Sequence, residues 1–266
     1  MLAQRWRRAA ETAKSPAARV FFHLRMLIAH KRERRAFAAV DTVVAFSEKD
    51  KGLALDICAS ADVTVVRPPL EDPEAPRDTE ALSELLAFRS SRPEKVVLFT
   101  AALSRPENDQ AALHLVEEIW PRIAREACNA RLVIAGSSPS EKLKHRVATT
   151  ENASLTGYVQ SFAESYRQAS VVVVPLKRGA GVKFKTVEAL LWGIPVVTSP
   201  VGAEGIGRSA LFYRVTDDPV AFAEGVVELI VKPAPRAQLV EPSWRWAREA
   251  YSAEQFRASV AALLSE

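Results

Sequence analysis

Apolar positions change their period along the chain, and the changes divide it. Over residues 17–39, Val20, Phe21, Leu24, Leu27 and Ile28 recur at helical spacing, and a shorter helix is expected through Trp6. Asp41-Thr42-Val43-Val44-Ala45-Phe46-Ser47 reads as a short strand and turn, with Ser47 placed to cap a helix opening at Glu48. After Thr64-Val65-Val66 the pattern breaks: residues 67–94 hold five prolines with Glu71, Asp72, Glu74, Asp78 and Glu80, and read as a linker apart from a helical turn near 82–88. Further on, the β-branched run at 171–174 closes at Pro175, and the loop Lys177-Arg178-Gly179-Ala180-Gly181-Val182-Lys183 comes next. A helix is expected from about Lys183 to Trp192, with Val187, Leu190 and Leu191 as its apolar stripe and Gly193 as its stop, and a second strand at 195–199.

Strand, loop, helix and strand in that order make a βαβ unit. Such a unit requires a parallel sheet and sets its first loop at the carboxyl edge, where open α/β sheets bind ligands. Helix N-terminal amides, the cations of the loop and its small residues Gly179, Ala180 and Gly181 favour a phosphate there, although an ordinary βα loop has the same composition. Glu188 stands alone as a carboxylate on an apolar helix. Burying it unpaired is costly, so it faces either a ligand or water.

These residues, with Gly193-Ile194-Pro195-Val196-Val197 and Gly202-Ala203-Glu204-Gly205, resemble the donor-site signature of the group 1 (family four) glycosyltransferases of the GT-B fold. Residues 96–139 are similar to the same family's first strand, phosphate loop, helix and second strand, and 154–157 with Tyr158-Val159 to the connector ahead of the donor loop. The resemblance covers roughly 96–206 in the family's order. It implies a Rossmann-like α/β domain with a parallel sheet that binds a nucleoside-diphosphate sugar. It also implies transfer of the sugar with retention, without a metal or other cofactor, to a glycan or lipid-linked acceptor. By the resemblance, Arg105, Lys183 and Lys185 would meet the diphosphate, Gly179, Ala180, Gly181, Val182 and Tyr158 would line the donor, and Glu188 would accept from the ribose hydroxyls. An exposed loop residue is the alternative for Arg105. The chain departs from the pattern where the family's first glutamate would stand, eight positions before Glu188: the residue is Ala180, as in members with a G-x-G-x-K-x-K loop. Ala102 and Glu107 fall near the places of the family's phosphate-loop cations, with Arg105 between them.

Charge changes the picture at the N-terminus. Residues 1–40 carry ten Lys and Arg against Glu11 and Glu33, giving +8, while the 266-residue chain as a whole is +4. Arginines beside Phe21, Phe22 and Leu27 fit an anionic membrane surface, or a solvated basic helix. Neither aromatic interleaving nor a recognised module accompanies the charge, so nucleic acid is not an expected partner. Length also matters. The family carries two Rossmann-like domains, whereas here 1–66 is expected as an incomplete, mainly helical acceptor-side part, 67–94 as linker, 95–232 as the donor domain and 233–266 as a C-terminal helix crossing back to the N-terminal part. A partner chain supplying the missing half, or a noncatalytic scaffold role, is the alternative to an enzyme complete in itself. Cys58 and Cys128 lack a disulfide pattern, the four histidines lack metal spacing, and no run approaches the ~20 apolar residues of a membrane span. A cytoplasmic location is expected. Trp120, before Pro121 at a helix end, and Trp192 read as core, while Trp244 and Trp246 open the final helix.

Overall fold

The computed structural model describes residues 1–11, 13, 15–231 and 236–265; Lys14, counted in the basic N-terminus, and the expected boundary at 232/233 lie outside the described residues. Both N-terminal helices form, α1 (Leu2–Glu11) and α2 (Pro16–Phe37), and they pack as a pair with Trp6 stacked on Phe22 at 5.8 Å between ring centroids. Glu33 of α2 accepts from the amides of Leu2 and Ala3, a carboxylate placed on the positive end of α1. The apolar stripe of α2 is not covered: Val20, Phe21, Leu24, Leu27 and Ile28 are all more than half exposed.

β1 (Val43–Ala45), α3 (Glu48–Ile57) and β2 (Val63–Val65) form a small parallel βαβ unit. Ser47 caps α3 by accepting from the Asp50 amide at 3.1 Å. Ser47→Ala is expected to cost about 1 kcal/mol, the usual worth of a lost N-cap, and a lower urea midpoint for the variant would check it.

The segment read as a linker is built into the domain. Asp78 caps a full helix, α4 (Thr79–Ser91). It is longer than the expected turn because tertiary contacts hold both of its ends: Leu82 is buried against Val240 and Trp244, and Arg89 is buried on backbone carbonyls that include Tyr166 and Gly193. Leu70 donates its amide to Tyr251, and the carbonyl of Pro76 accepts from Trp244 and Arg248.

The larger sheet then begins with β3 (Lys95–Thr100), continuing through α5 (Pro106–His114), α6 (Trp120–Glu126), β4 (Ala130–Ala135), α7 (Glu141–Ala148) and β5 (Ala153–Leu155). Trp120 does not mark a helix end. A π-turn over Leu115–Ile119 joins α5 to α6, and its wider ladder lets the chain pass Pro121, which lacks an N–H and would clash with a regular turn. The second half runs α8 (Ala163–Gln168), β6 (Ala169–Val174), α9 (Phe184–Leu191), β7 (Val196–Thr198), β8 (Arg214–Val215) and α10 (Pro219–Val231). Six parallel strands lie in the order β5-β4-β3-β6-β7-β8. Buried on both faces, β3 and β6 are nearly uniform in apolar residues, as parallel strands must be. β6 starts two residues earlier than expected because Ser170 sits in a register shift, its hydroxyl accepting from the Val96 amide.

Gly193 ends α9 at φ +58°, a left-handed C-cap, and a Cβ there would fall 2.3 Å from Leu82 Cδ1, so α4 packs where the side chain is missing. Two helices, not one, close the chain: α11 (Arg236–Ala250) and α12 (Ala253–Ser265). Trp244 and Trp246 therefore lie within the penultimate helix. Trp244 packs with Val240 against Leu82 of α4, and Trp246 meets Tyr251 edge to face.

Candidate functional site

The chain leaves β3 toward β4 and β5 on one side and returns to β6 on the other, so the strand order reverses between β3 and β6. At such a switch point the loops beyond the strand ends diverge and open a crevice. Here the loops are the one leading to α5, which contains Arg105, and the one leading to α9. Close contact of the loops after β3 and β4 is made through Gly136, whose Cβ would lie 1.7 Å from the carbonyl oxygen of Ala101. The loops after β6 and β7 are tied by Ser199, which donates to the Leu176 carbonyl and accepts from the Gly202 amide, and by Thr186, which donates to the Gly202 carbonyl at 3.0 Å.

Glu188 lies on the second turn of α9 and turns toward a cleft of about 650 Å³ lined by Asp72, Pro73, Phe162, Tyr166 and Trp192. Its Oε2 accepts from the Tyr166 hydroxyl at 2.8 Å, and that hydroxyl also meets Thr100 Oγ1 at 3.0 Å. Oε1 has no hydrogen-bond partner among the described residues. Burial, helped by the Asp72 carboxylate, raises the Glu188 pKa against the pull of Tyr166 and Lys185. Burial first, and Glu188 second, drive the Tyr166 hydroxyl well above the usual tyrosine range, so it stays a donor. The result is a half-buried carboxylate held in one rotamer by a neutral phenol, with one oxygen left for a ligand.

Lys183 is the N-cap of α9 and Lys185 stands in its first turn. Lys183 Nζ folds back onto the Gly181 carbonyl, while Lys185 Nζ donates to Asn108 Oδ1 at 2.9 Å and lies 4.8 Å above the Phe99 ring. Burial pulls both ammonium groups down to about 8; for Lys185 the neighbouring charges of Lys183 and Arg105 add to it. Arg105 itself is exposed at the N-cap of α5. The three expected cations are thus brought to one edge, beside the N-terminus of α9.

Other expected residues are placed differently. Gly179, Gly181 and Val182 are partly covered in the loop before α9 and Ala180 is exposed, so no carboxylate occupies the position eight before Glu188. Tyr158 stands 80% exposed on the loop after β5. Trp192 is buried as expected, stacked on Tyr166 at 6.0 Å and donating its Nε1–H to Asp72 at 3.0 Å. Asn108, Tyr166 and Asp72 were not singled out by their sequence. Each reaches the site through a partner distant in the chain, and the polar stretch Glu164-Ser165-Tyr166-Arg167-Gln168 gives its tyrosine no mark of a site. Among the described residues no group of three or more His, Cys, Asp and Glu could hold a metal ion, and no helix is long and apolar enough to cross a membrane.

A Klebsiella pneumoniae protein described as an uncharacterized 44.6 kDa protein in the cps region is 24% identical over 173 residues, spanning 62% of this chain and 44% of its own length. Among solved structures, S. aureus TarM in complex with fondaparinux, α-GlcNAc-glycerol and UDP superposes with a TM-score of 0.71 at 16% identity, over 90% of this chain and 47% of TarM. Anabaena HepE in complex with UDP and glucose gives a TM-score of 0.67 at 14% identity, over 100% of this chain and 81% of HepE. The chain thus spans about half the length of the Klebsiella protein and of TarM, and it shares the GT-B Rossmann-like fold with its structural neighbours. The sequence profile described as glycosyl transferases group 1 matches residues 94–232, the whole of the sheet and its helices through α10, and by that match the chain belongs to the group 1 glycosyl transferases.

Proposed function

We propose that this chain binds a nucleoside-diphosphate sugar at the β3/β6 crevice and transfers the sugar, with retention, to a glycan or lipid-linked acceptor. The observation that carries the reading is Glu188, a half-buried carboxylate locked by Tyr166 with its second oxygen facing a cleft, one turn beyond Lys183 and Lys185. A nucleotide laid along this edge meets Glu188 with its ribose hydroxyls and the two lysines, Arg105 and the α9 amides with its diphosphate. Gly179, Gly181 and Val182 let the backbone approach it. Cleavage of the glycosyl–phosphate bond gathers negative charge on the departing diphosphate, and fixed cations and amides there favour the transition state over the ground state. In this reading they do so without a metal. UDP bound to TarM and HepE supports a nucleotide at this fold's crevice.

A second reading has a specific observation in its favour. The uncovered stripe of α2, flanked by Arg19, Arg25, Lys31 and Arg32, suits an anionic membrane surface next to a lipid-linked acceptor. It equally suits a noncatalytic subunit that docks α2 on a complete transferase. Nucleotide binding separates an enzyme from such a scaffold. Calorimetric titration with UDP, GDP and ADP is expected to show saturable binding of one of them at pH 7. Because both lysines titrate near 8, affinity should fall roughly tenfold or more between pH 7 and 9.5, as charge-assisted hydrogen bonds of ~1.5–3 kcal/mol are lost. A folded chain that binds no nucleotide would favour the scaffold, and pH-independent binding would remove the lysines from the site.

A further inference from the structure

The loop after β7 carries a second carboxylate, Glu204, with its side chain only 4% exposed. It accepts from Arg8 Nη2 at 2.8 and 3.0 Å and from Gln4 Nε2 at 3.2 Å, and Lys49 Nζ lies 2.8 Å from it. Gln4 and Arg8 are one turn apart on α1, and Lys49 is in the first turn of α3. One carboxylate of the sheet domain therefore gathers two elements of the N-terminal part. The same loop also touches the one before α9: a Cβ on Gly205 would lie 2.9 Å from Ser47 Oγ and 3.2 Å from Val182 Cγ2.

Glu204 is the buried member and Arg8 and Lys49 are partly exposed, so the contact is disfavoured from opening chiefly because that would leave a buried carboxylate without its cations. Such a contact has two states, made or broken, rather than a continuum. Resting on the donor-site reading, we propose that Glu204 is a positioning residue: it clamps α1 and α3 against the loop at 179–183 and so holds Lys183 where the donor diphosphate would meet it. The electrostatics agree with the geometry. Burial pushes Glu204 up, but the hydrogen bonds from Arg8 and Lys49 outweigh it and hold the carboxyl below the usual range, so it is ionised. The groups around Lys183 are Glu204 and Asp50, which favour its charged form, and Arg8, Lys49 and Lys185, which oppose it.

Two measurements on the full chain test this. Without ligand, Glu204→Gln is expected to speed amide hydrogen exchange in both 2–8 and 179–183. With UDP as probe, or GDP or ADP if one of those binds instead, the variant should bind roughly tenfold more weakly, within the range of ordinary site-to-site coupling. Its alkaline loss of affinity should also begin at lower pH than in the parent chain. Lys49→Met, at a half-exposed position that tolerates change, should also speed exchange at 2–8 but move the alkaline limb the other way, since it removes a cation and leaves the carboxylate. It keeps the idea testable if Glu204→Gln does not fold. Unchanged exchange overturns the clamp. Faster exchange with unaltered affinity and pH limb overturns the positioning role, a purely structural effect being visible only in thermal stability. If the parent chain binds none of the three nucleotides while exchange still accelerates, the donor reading fails and the clamp stands.

Discussion

Glu188→Ala is expected to weaken binding of the chain's preferred nucleotide by about 10- to 150-fold, the loss of one hydrogen bond to a charged acceptor at ~1.5–3 kcal/mol. The variant should lose nothing in stability. Burial raises the folded-state pKa of Glu188 above its unfolded value, so ionising it costs the fold free energy as the pH rises past the unfolded pKa. Removing the carboxylate removes the cost. Glu188→Gln should thus melt no lower than the parent chain at pH 7 while binding nucleotide more weakly. A residue merely holding Tyr166 in place would give the opposite pattern, with lower stability and unaltered binding. Calorimetry and thermal unfolding on the same two variants distinguish these.

Arg89→Met is expected to destabilise the fold by about 3–5 kcal/mol, since several buried carbonyls lose a donor at ~1–3 kcal/mol each. Arg89 is 4% exposed, and its guanidinium donates to the carbonyls of Tyr166, Arg167, Trp192 and Gly193 at 2.9–3.2 Å. Those carbonyls lie at the C-terminal ends of α8 and α9, where a cation is favoured by the helix dipoles; the Tyr166 carbonyl also accepts from the Ala169 amide, and Met takes the guanidinium donors away from all four. Burial lowers the proton affinity of Arg89, and the four acceptors are what keep a charge in that place. A melting temperature about 10 °C lower would match, at the ~2–4 °C per kcal/mol of a domain this size. Lysine should not rescue it, because three rotatable N–H groups cannot reproduce the planar fork. A loss below about 1 kcal/mol would mean that water replaces the guanidinium. Because the same contact fixes Tyr166 and the end of α9, residual folded protein should also bind nucleotide more weakly.

Legibility in the sequence depended on which partners a residue needs. The strands of the sheet centre were readable because burial on both faces demands unbroken apolar runs, as at Val171–Val172–Val173–Val174, and Gly193 and Ser47 were readable because caps are local chemistry. The uncovered stripe of α2 was legible as well, since its pattern holds whether or not something covers it. Arg89 was not. Its acceptors are backbone carbonyls 77 to 104 residues away, which leave no trace in side-chain identity, and its proline-rich, acidic surroundings read as linker. The same holds for Glu204, whose partners lie some 200 residues earlier on α1, and for Asn108 under Lys185. β8, two residues long, carries too little pattern for any periodicity to register. Within the candidate site, the motif residues around α9 stand out in the sequence and the groups that contact them, Tyr166 and Asn108, do not.

The most direct test is a crystal structure of the chain soaked with UDP, GDP or ADP, whichever it binds. The account requires the ribose hydroxyls within hydrogen-bonding distance of Glu188, about 2.6–3.0 Å, with Tyr166 still on Oε2 and the diphosphate between Lys183, Lys185 and the start of α9. A nucleotide seated elsewhere, with Glu188 facing only solvent, would contradict it.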